Sequence, residues 1–388
     1  MAMNHHGNGL RFALPDPARG ALRLAAHGAI EAAFGLDEMG QGLIPAIISA
    51  VSARLGVARE DVRAVTGDTR AAPDSGPTTA SRGTCVVWRA AELAAPRFVE
   101  TLTALAGQRL SRPPENLRLA PGGFGDALAN SDATLLSFAD LARALAPKER
   151  PVVEVAFEYP ETDFPDGNAR FLFVFGAAVA RVAVDRVTGA VRVLDINQHA
   201  VAGPVLDIAS FLGQQEGGAV QALGFALSED ALMQAGRWVT TNFDTYLMPT
   251  FADAPEAMRV SVREDLDARD PFGPRGAGEL GVGAVTPALV NAVADALGEA
   301  SGEGRLIDFL RDEAGLTGAK LGCGISRCAG YHSLLRGALR AAGEDARAPG
   351  NAGVLARSCR TKPFGGKSRQ LPSKARKRRV LGPCGGRA

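Results

Sequence analysis

Apolar residues at 44, 47, 48, 51 and 55, within Ile44-Pro45-Ala46-Ile47-Ile48-Ser49-Ala50-Val51-Ser52-Ala53-Arg54-Leu55, recur every three or four positions. That is the repeat of a single buried helical face, and Gly56 supplies the stop. It is the one clear helix read within residues 1–150, which otherwise carry short strand-like runs. Further on the period shortens. Arg181-Val182-Ala183-Val184-Asp185 and Ala190-Val191-Arg192-Val193-Leu194 flank Arg186-Val187-Thr188-Gly189, a β-hairpin pattern with a Gly turn. A helix is predicted from about Gly213 to Leu227. Another is predicted with Thr286 as N-cap, Pro287 first, Val290, Val293 and Leu297 on the buried face, and Gly298 as stop. From Glu299 the pattern weakens to one short helical run at Arg305-Leu306-Ile307-Asp308-Phe309-Leu310, and beyond Gly343 it dissolves. The chain thus reads as α+β, divided into 1–150, 151–298, 299–335 and 336–388.

Composition narrows the options. A chain of 388 residues can hold two or three cores, and a net charge of +1 gives no overall pull toward nucleic acid. No stretch reads as a run of about 18 apolar residues, so no membrane span is expected. The N-terminus lacks a basic segment followed by an apolar one, so no signal peptide is expected. Five cysteines, at 85, 323, 328, 359 and 384, do not form a disulfide framework in a chain of this size and fit a reduced, cytoplasmic setting. Cys85 reads as a small buried residue, and His5-His6 as part of a surface loop. Residues 346–388 contain no Asp or Glu and include Lys374-Ala375-Arg376-Lys377-Arg378-Arg379. Such a tail is expected to be disordered and solvated. Nucleic-acid binding through it ranks last among the functional readings.

Four stretches carry chemistry. Glu38-Met39-Gly40-Gln41-Gly42 precedes the first helix; its glycines permit close backbone approach, N–H groups at a helix start favour an anion, and Gln41 offers a donor and an acceptor. Gly67-Asp68-Thr69 leads to Pro73-Asp74-Ser75-Gly76-Pro77-Thr78-Thr79-Ala80-Ser81-Arg82-Gly83-Thr84. Its hydroxyls and N–H groups can wrap a phosphate, with Arg82 adding a charge-assisted contact; the same composition also describes a plain surface loop. The third stretch is Gly213-Gln214-Gln215-Glu216-Gly217-Gly218-Ala219-Val220-Gln221-Ala222-Leu223-Gly224. The fourth is Asp270-Pro271-Phe272-Gly273-Pro274-Arg275-Gly276-Ala277-Gly278-Glu279-Leu280-Gly281. A carboxylate in so Gly-dense a loop can point into a cleft, where burial raises its pKa and suits it to act as a base. Standing alone, Gly-x-Gly-Glu is equally a turn carboxylate.

Taken in order, with Phe175 to Asp185 and Asn242-Phe243-Asp244-Thr245-Tyr246-Leu247-Met248-Pro249-Thr250 between them, these stretches resemble the molybdopterin-binding subunit of the xanthine dehydrogenase and aldehyde oxidase family, from about Gly7 to Gly298. The implied fold is the C-terminal part of the xanthine oxidase-type molybdenum cofactor-binding domain. The implied cofactor is molybdenum–molybdopterin, in the plain or the cytosine dinucleotide form. In that family a glutamate deprotonates a molybdenum-bound hydroxyl that attacks an N-heteroaromatic or aldehyde carbon, and electrons leave through iron–sulfur clusters and FAD. Carried over, Glu279 is the base, Gln41, Gly42 and Gln214 contact the pterin or the metal's ligands, and Thr78, Thr79, Ala80 and Ser81 hold the pterin side or its phosphates. Arg275 stands where the family usually has lysine, and Leu280-Gly281 stand where it has prolines.

Two departures shape the expected partners. The family's large subunit is longer, so a separate chain is expected to supply the preceding half, alongside FAD and [2Fe–2S] subunits. Residues 306–328 resemble the start of the [2Fe–2S] subunit, but in the C-x₄-C-x₂-C spacing only Cys323 and Cys328 are present and Tyr331 takes the third place. No cluster is expected on this chain. The opposing hypothesis is a truncated, non-catalytic remnant or interaction module.

Overall fold

The computed structural model describes residues 1–10, 16–129, 133–162, 166, 170–266, 270, 272–298 and 369–371. In chain order the elements are β1 (Ala2–Asn8), β2 (Pro17–Leu24), β3 (Ile30–Ala33), α1 (Leu43–Leu55), β4 (Val62–Val65), α2 (Gly83–Leu110), β5 (Leu117–Ala120), β6 (Gly123–Asp126), β7 (Leu136–Ser137) and α3 (Phe138–Ala144). They continue with β8 (Val152–Glu158), β9 (Leu172–Val184), β10 (Val191–Val201), α4 (Ile208–Leu227), β11 (Met233–Gln234), β12 (Arg237–Trp238), β13 (Ala257–Arg263), α5 (Leu280–Leu297) and β14 (Arg369–Leu371).

Two sheets organise the molecule. The first has the order β4-β3-β2-β8, with α1 and α2 packed on it around Leu22, Ile30, Phe34, Ile47, Phe98 and Leu102, all fully buried. The second has the order β1-β9-β10-β13-β14. There α4 and α5 pack on each other and on the sheet, burying Ile196, Ala219, Leu223, Val285 and Leu289. Strands β10 and β13 run parallel, so the chain must cross over between them, and α4 lies in that connection. The sheets interleave across the 150/151 division read from the sequence: β1 joins the second and β8 the first. This exchange matters for function, because it carries residues 2–8 alongside the start of α5.

Helix α1 forms where its periodicity predicts, and Gly56 ends it in a left-handed conformation. The hairpin forms as well: Val184 pairs with Val191, and Gly189 has φ 75° in the turn. Three readings need correction. The 28-residue α2 was not recognised, although Val86, Val87, Ala90, Ala91, Ala94, Ala95, Phe98, Leu102 and Ala106 make one buried face. Its alanines and the internal Pro96 blur the apolar signal. Helix α4 starts earlier than predicted, at Ile208, because the Asp207 carboxylate caps it by accepting from Ser210 N at 2.9 Å. Thr286 is not an N-cap. Helix α5 begins at Leu280, Pro287 lies inside it, and Thr286 Oγ1 donates to Val282 O at 3.1 Å. Burial of Leu280, Ala284 and Val285 outweighs the hydrogen bond that Pro287 removes.

By length and composition α5 is apolar enough to cross a membrane, unlike anything expected from the sequence, yet half of it is buried against α4 and the sheet. Within the tail expected to be disordered, Arg369–Leu371 pairs antiparallel with β13, meeting backbone groups that a sheet edge leaves unpaired. Cys323, Cys328, Tyr331, Cys359 and Cys384 lie outside the described residues.

Candidate active site

One cavity of about 390 Å³ gathers residues scattered over most of the described chain. Its walls include Gln41, Gly42, Thr78, Thr79, Ala80, Ser81, Gln214 and Glu279, so the sequence candidates share one place. Four helix N-termini open on it: Gly42-Leu43 of α1, Arg82-Gly83-Thr84 of α2, Asp207 and Ser210 of α4, and Gly278-Glu279 of α5. Each presents backbone N–H groups at the positive end of a helix dipole. Two are already served by the protein's own carboxylates. Glu38 Oε1 accepts from Gly40 N and Gly42 N at 2.8 and 3.1 Å, and Oε2 from Ile44 N at 2.9 Å. Burial opposes ionisation of Glu38, but these N–H donors outweigh it and hold the carboxyl below its ordinary value. The anion expected at the start of α1 is therefore this side chain. Asp207 serves α4. Helices α2 and α5 start with no side-chain cap, which leaves the cavity suited to an anionic ligand rich in hydrogen-bond acceptors.

The hydroxyl-rich loop is built rather than plain surface. Ser75 is fully buried, its Oγ accepting from Gly35 N at 2.9 Å and donating to Arg19 O at 2.6 Å. Thr78 Oγ1 accepts from Asp37 N at 2.7 Å, tying this loop to the one before α1. Ala80 and Ser81 both sit in the left-handed region, at φ 48° and 47°, strain of a kind that clusters at functional sites. Arg82 does not serve as a ligand contact. Its side chain is fully buried, ion-paired with Asp16 at 2.8 Å and donating to Ser75 O, Pro77 O and Pro17 O. It shapes the loop from beneath.

Glu279 is the N-cap residue of α5. Its Oε2 accepts from Ser81 Oγ at 2.7 Å and lies 2.9 Å from His6 Nε2. The His6 imidazole, with Nε2 2.9 Å from Oε2, is the largest influence on its acidity. Burial pushes the other way, while the Ser81 hydrogen bond and the electrostatic influence of His6 and Arg170 add to the lowering, so the carboxyl sits below 4.5. This reverses the expectation that burial would raise it. Glycine is required at 276, where a Cβ would lie 1.6 Å from Ser81 O; at Gly278 a Cβ would lie 3.0 Å from Gln214 Oε1, a contact that a shift of that side chain relieves. Arg275 pairs with Asp270 and donates to Gly273 O, bracing the segment that leads to Glu279. Gln41 is engaged within its own loop, Nε2 donating to Asp37 O at 2.7 Å and Oε1 accepting from Met39 N at 2.6 Å. One N–H and one lone pair of its amide remain for a ligand.

Some site residues escaped sequence reading. Gln215, rather than Gln214, is the buried glutamine of α4, and its Nε2 donates to Ala277 O at 2.7 Å. His6 is not in a surface loop but on β1, with its side chain only 13% exposed. Asn8 is buried and donates to Gly276 O at 2.8 Å. The alternation of Asn4, His6 and Asn8 was the available signal, since a strand turns every second side chain to one face. Cys85 is buried as expected, and burial pushes its thiol up, so it stays a neutral packing residue.

The sequence model of the molybdopterin cofactor-binding domain family matches residues 1–255. A probable xanthine dehydrogenase subunit of Bacillus subtilis (strain 168) is 42% identical over 297 residues, 76% of this chain and 39% of that protein. The gamma subunit of the 6-hydroxypseudooxynicotine dehydrogenase complex of Paenarthrobacter nicotinovorans is 30% identical over 285 residues, 72% of this chain and 35% of that protein. Among solved structures, quinoline 2-oxidoreductase from Pseudomonas putida 86 superposes with a TM-score of 0.60 at 25% identity, over 76% of this chain and 38% of that one. The aldehyde oxidoreductase from Desulfovibrio desulfuricans ATCC 27774 shares the fold, with a TM-score of 0.60 at 22% identity, over 76% of this chain and 30% of that one. The chain thus spans less than half the length of each of these relatives. With more than half of its residues matched and a mixed helix–sheet fold common to molybdenum hydroxylases, the chain belongs to the molybdopterin cofactor-binding domain family.

Proposed function

We propose that this chain holds molybdenum–molybdopterin in a xanthine dehydrogenase-type hydroxylase and presents Glu279 as the general base for hydroxylating an N-heteroaromatic or aldehyde carbon. The observation that carries this reading is the meeting of Glu279, Ser81, Gln214 and the loop 78–84 on one cavity where α2 and α5 begin without side-chain caps. When bound, the cofactor supplies Lewis-acid activation of water and a two-electron acceptor. Thr78, Thr79 and Ser81 with the N–H groups of Gly83 and Thr84 would hold its anionic side, and Gly42, Gln41 and Gln214 its polar ring edge. Glu279 takes a proton at its carboxylate, while Ser81 and His6 keep that carboxylate in one orientation by holding Oε2. The buried Gln215 and Asn8 keep the loop rigid around it, so orientation is set before substrate arrives.

The relatives named above include subunits of multi-subunit enzymes, and other subunits are partners of this kind of chain. We infer that a separate chain supplies the remainder of the molybdenum subunit and that FAD and [2Fe–2S] subunits carry the electrons away. The test is metal and pterin analysis of the chain purified after co-expression with neighbouring reading frames. Molybdenum and pterin in near-equimolar amount support the reading, and their absence removes it. In the loaded protein Glu279→Gln is expected to lower turnover by orders of magnitude at unchanged metal content; retained turnover removes Glu279 as the base.

A further inference from the structure

Strand β1 turns three polar side chains toward the segment that carries Glu279. Asn8 Nδ2 donates to Gly276 O at 2.8 Å, His6 Nε2 lies 2.9 Å from Glu279 Oε2, and Asn4 Nδ2 donates to Leu280 O at 3.2 Å. The three residues alternate along the strand, so one face of β1 contacts three successive points of the 276–280 segment. The opposite face is different in kind: His5, between them, packs its ring edge-on against Phe173 with centroids 5.5 Å apart. The strand itself is fixed by full antiparallel pairing with β9, from Ala2 opposite Ala178 to Asn8 opposite Leu172.

We propose that His6 is a positioning residue for Glu279: with Ser81 it clamps Oε2 from two sides, and with Asn4 and Asn8 it splints the loop that bears the carboxylate. The inference rests on the proposed role of Glu279 but concerns how its carboxylate is held, which can be measured without turnover. Ser81 alone could rotate with the carboxylate, because one hydrogen bond leaves torsional freedom about the Cγ–Cδ bond. A second contact from a different element, His6 Nε2 at 2.9 Å, restricts that rotation. His6 is suited to this because its side chain is largely buried on a paired strand and has little freedom of its own. Residue 276 has to be glycine against the Ser81 carbonyl, so the loop lies close against the start of α2 there, and the contacts of β1 hold it in that position. Among the described residues, the charged and titratable groups acting on Glu279 are His6 from β1 and Arg170 from the segment before β9, with the Ser81 hydroxyl from the start of α2. The Asp270–Arg275 pair sits on Glu279's own segment and balances its charges internally.

The test uses the full chain, selectively ¹³C-labelled at glutamate, with Glu279→Gln assigning the carboxyl resonance. In His6→Ala the Glu279 titration is expected to move to higher pH, toward its ordinary value of 4.5. In His6→Gln, whose amide can approach from a similar position but carries no ring electrostatics, it is expected to fall between the native and His6→Ala curves. In the cofactor-loaded complex His6→Ala is expected to lower kcat on the order of 100-fold at unchanged molybdenum content, as a misplaced catalytic group does, with His6→Gln recovering most of that loss. A Glu279 titration unmoved in His6→Ala overturns the proposal even if molybdenum is bound. A moved titration in a chain that binds no molybdenum upholds it and removes only the functional reading. Should His6→Ala fail to fold, His6→Gln compared with His6→Leu gives the same contrast, and equal titrations in the two overturn it.

Discussion

The carbonyl oxygen of Ser81 occupies the place where a side chain at Gly276 would begin, 1.6 Å from the ideal Cβ position. The two residues come from the start of α2 and the approach to α5, and both line the same cavity as Glu279. Asn8 Nδ2 bridges both backbones, donating to Gly276 O at 2.8 Å and to Ser81 O at 3.4 Å. Gly276→Ala must therefore push two closely packed segments apart. We expect a loss of roughly 1–3 kcal/mol in stability from overpacking, measured by chemical denaturation. Cofactor content and turnover should fall further than that loss explains. A variant as stable as the native protein would show that the wall yields easily.

Arg82 and Asp16 form a fully buried ion pair at 2.8 Å, and the guanidinium also donates to three backbone carbonyls. Arg82→Met removes those donors and leaves Asp16 buried without its countercharge. A cost of about 3–5 kcal/mol is expected. Arg82→Lys should recover only part of it, because an ammonium cannot reproduce the planar fork. Denaturation of the two variants checks the order; equal stability of Arg82→Lys and the native protein would remove the forked contact as the cause.

These examples indicate what the sequence could convey. Elements with strong local signals were legible: the α1 face, the Gly189 turn, and the ordered glycine-rich stretches that meet at the cavity. Long-range pairings were not. Nothing local to His6 marks it as the neighbour of Glu279, since that contact exists only because β1 joins the sheet of β9 rather than its sequence neighbours. Arg82 looked like an anion contact because its surroundings were read and its burial was not. Helix α2 was hidden by alanines, whose small side chains mark a close packing face as readily as a weak helix. The acidity of Glu279 was misjudged for the same reason: burial was foreseeable from the loop's glycines, but the two donors were not.

Glu38 offers a local counterpart. Three backbone N–H groups at the start of α1 converge on its carboxylate. Glu38→Ala is expected to cost about 1 kcal/mol, the usual value of a lost cap. The folded protein holds this carboxyl below 4.5, so its stabilisation is fully present above that value and is lost as pH falls through the lower folded value. The stability difference between native and Glu38→Ala should therefore shrink on acidification within that acid window. A difference constant from neutral to strongly acid pH would contradict the capping role.

The lowered acidity of Glu279 makes the sharpest prediction about activity. A base buried without donors would have its pKa raised, and kcat/KM would fall on the acid side near about pH 6–7. Here His6 and Ser81 stabilise the ionised form more than burial destabilises it, so the carboxylate persists below 4.5. The acid limb of kcat/KM, which reports the free enzyme, should lie below that value in the loaded complex. Stability follows the same sign: the folded pKa is depressed, so the contribution is present above 4.5 and disappears as pH falls through the folded value. Glu279→Gln should accordingly flatten the loss of stability in that acid window while leaving stability near neutral pH to be set by the rest of the loop. An acid limb near about pH 6–7 that vanishes in Glu279→Gln would show that bound cofactor reverses the balance of donors and burial. A limb in that range that survives the substitution would move the role of base to another group.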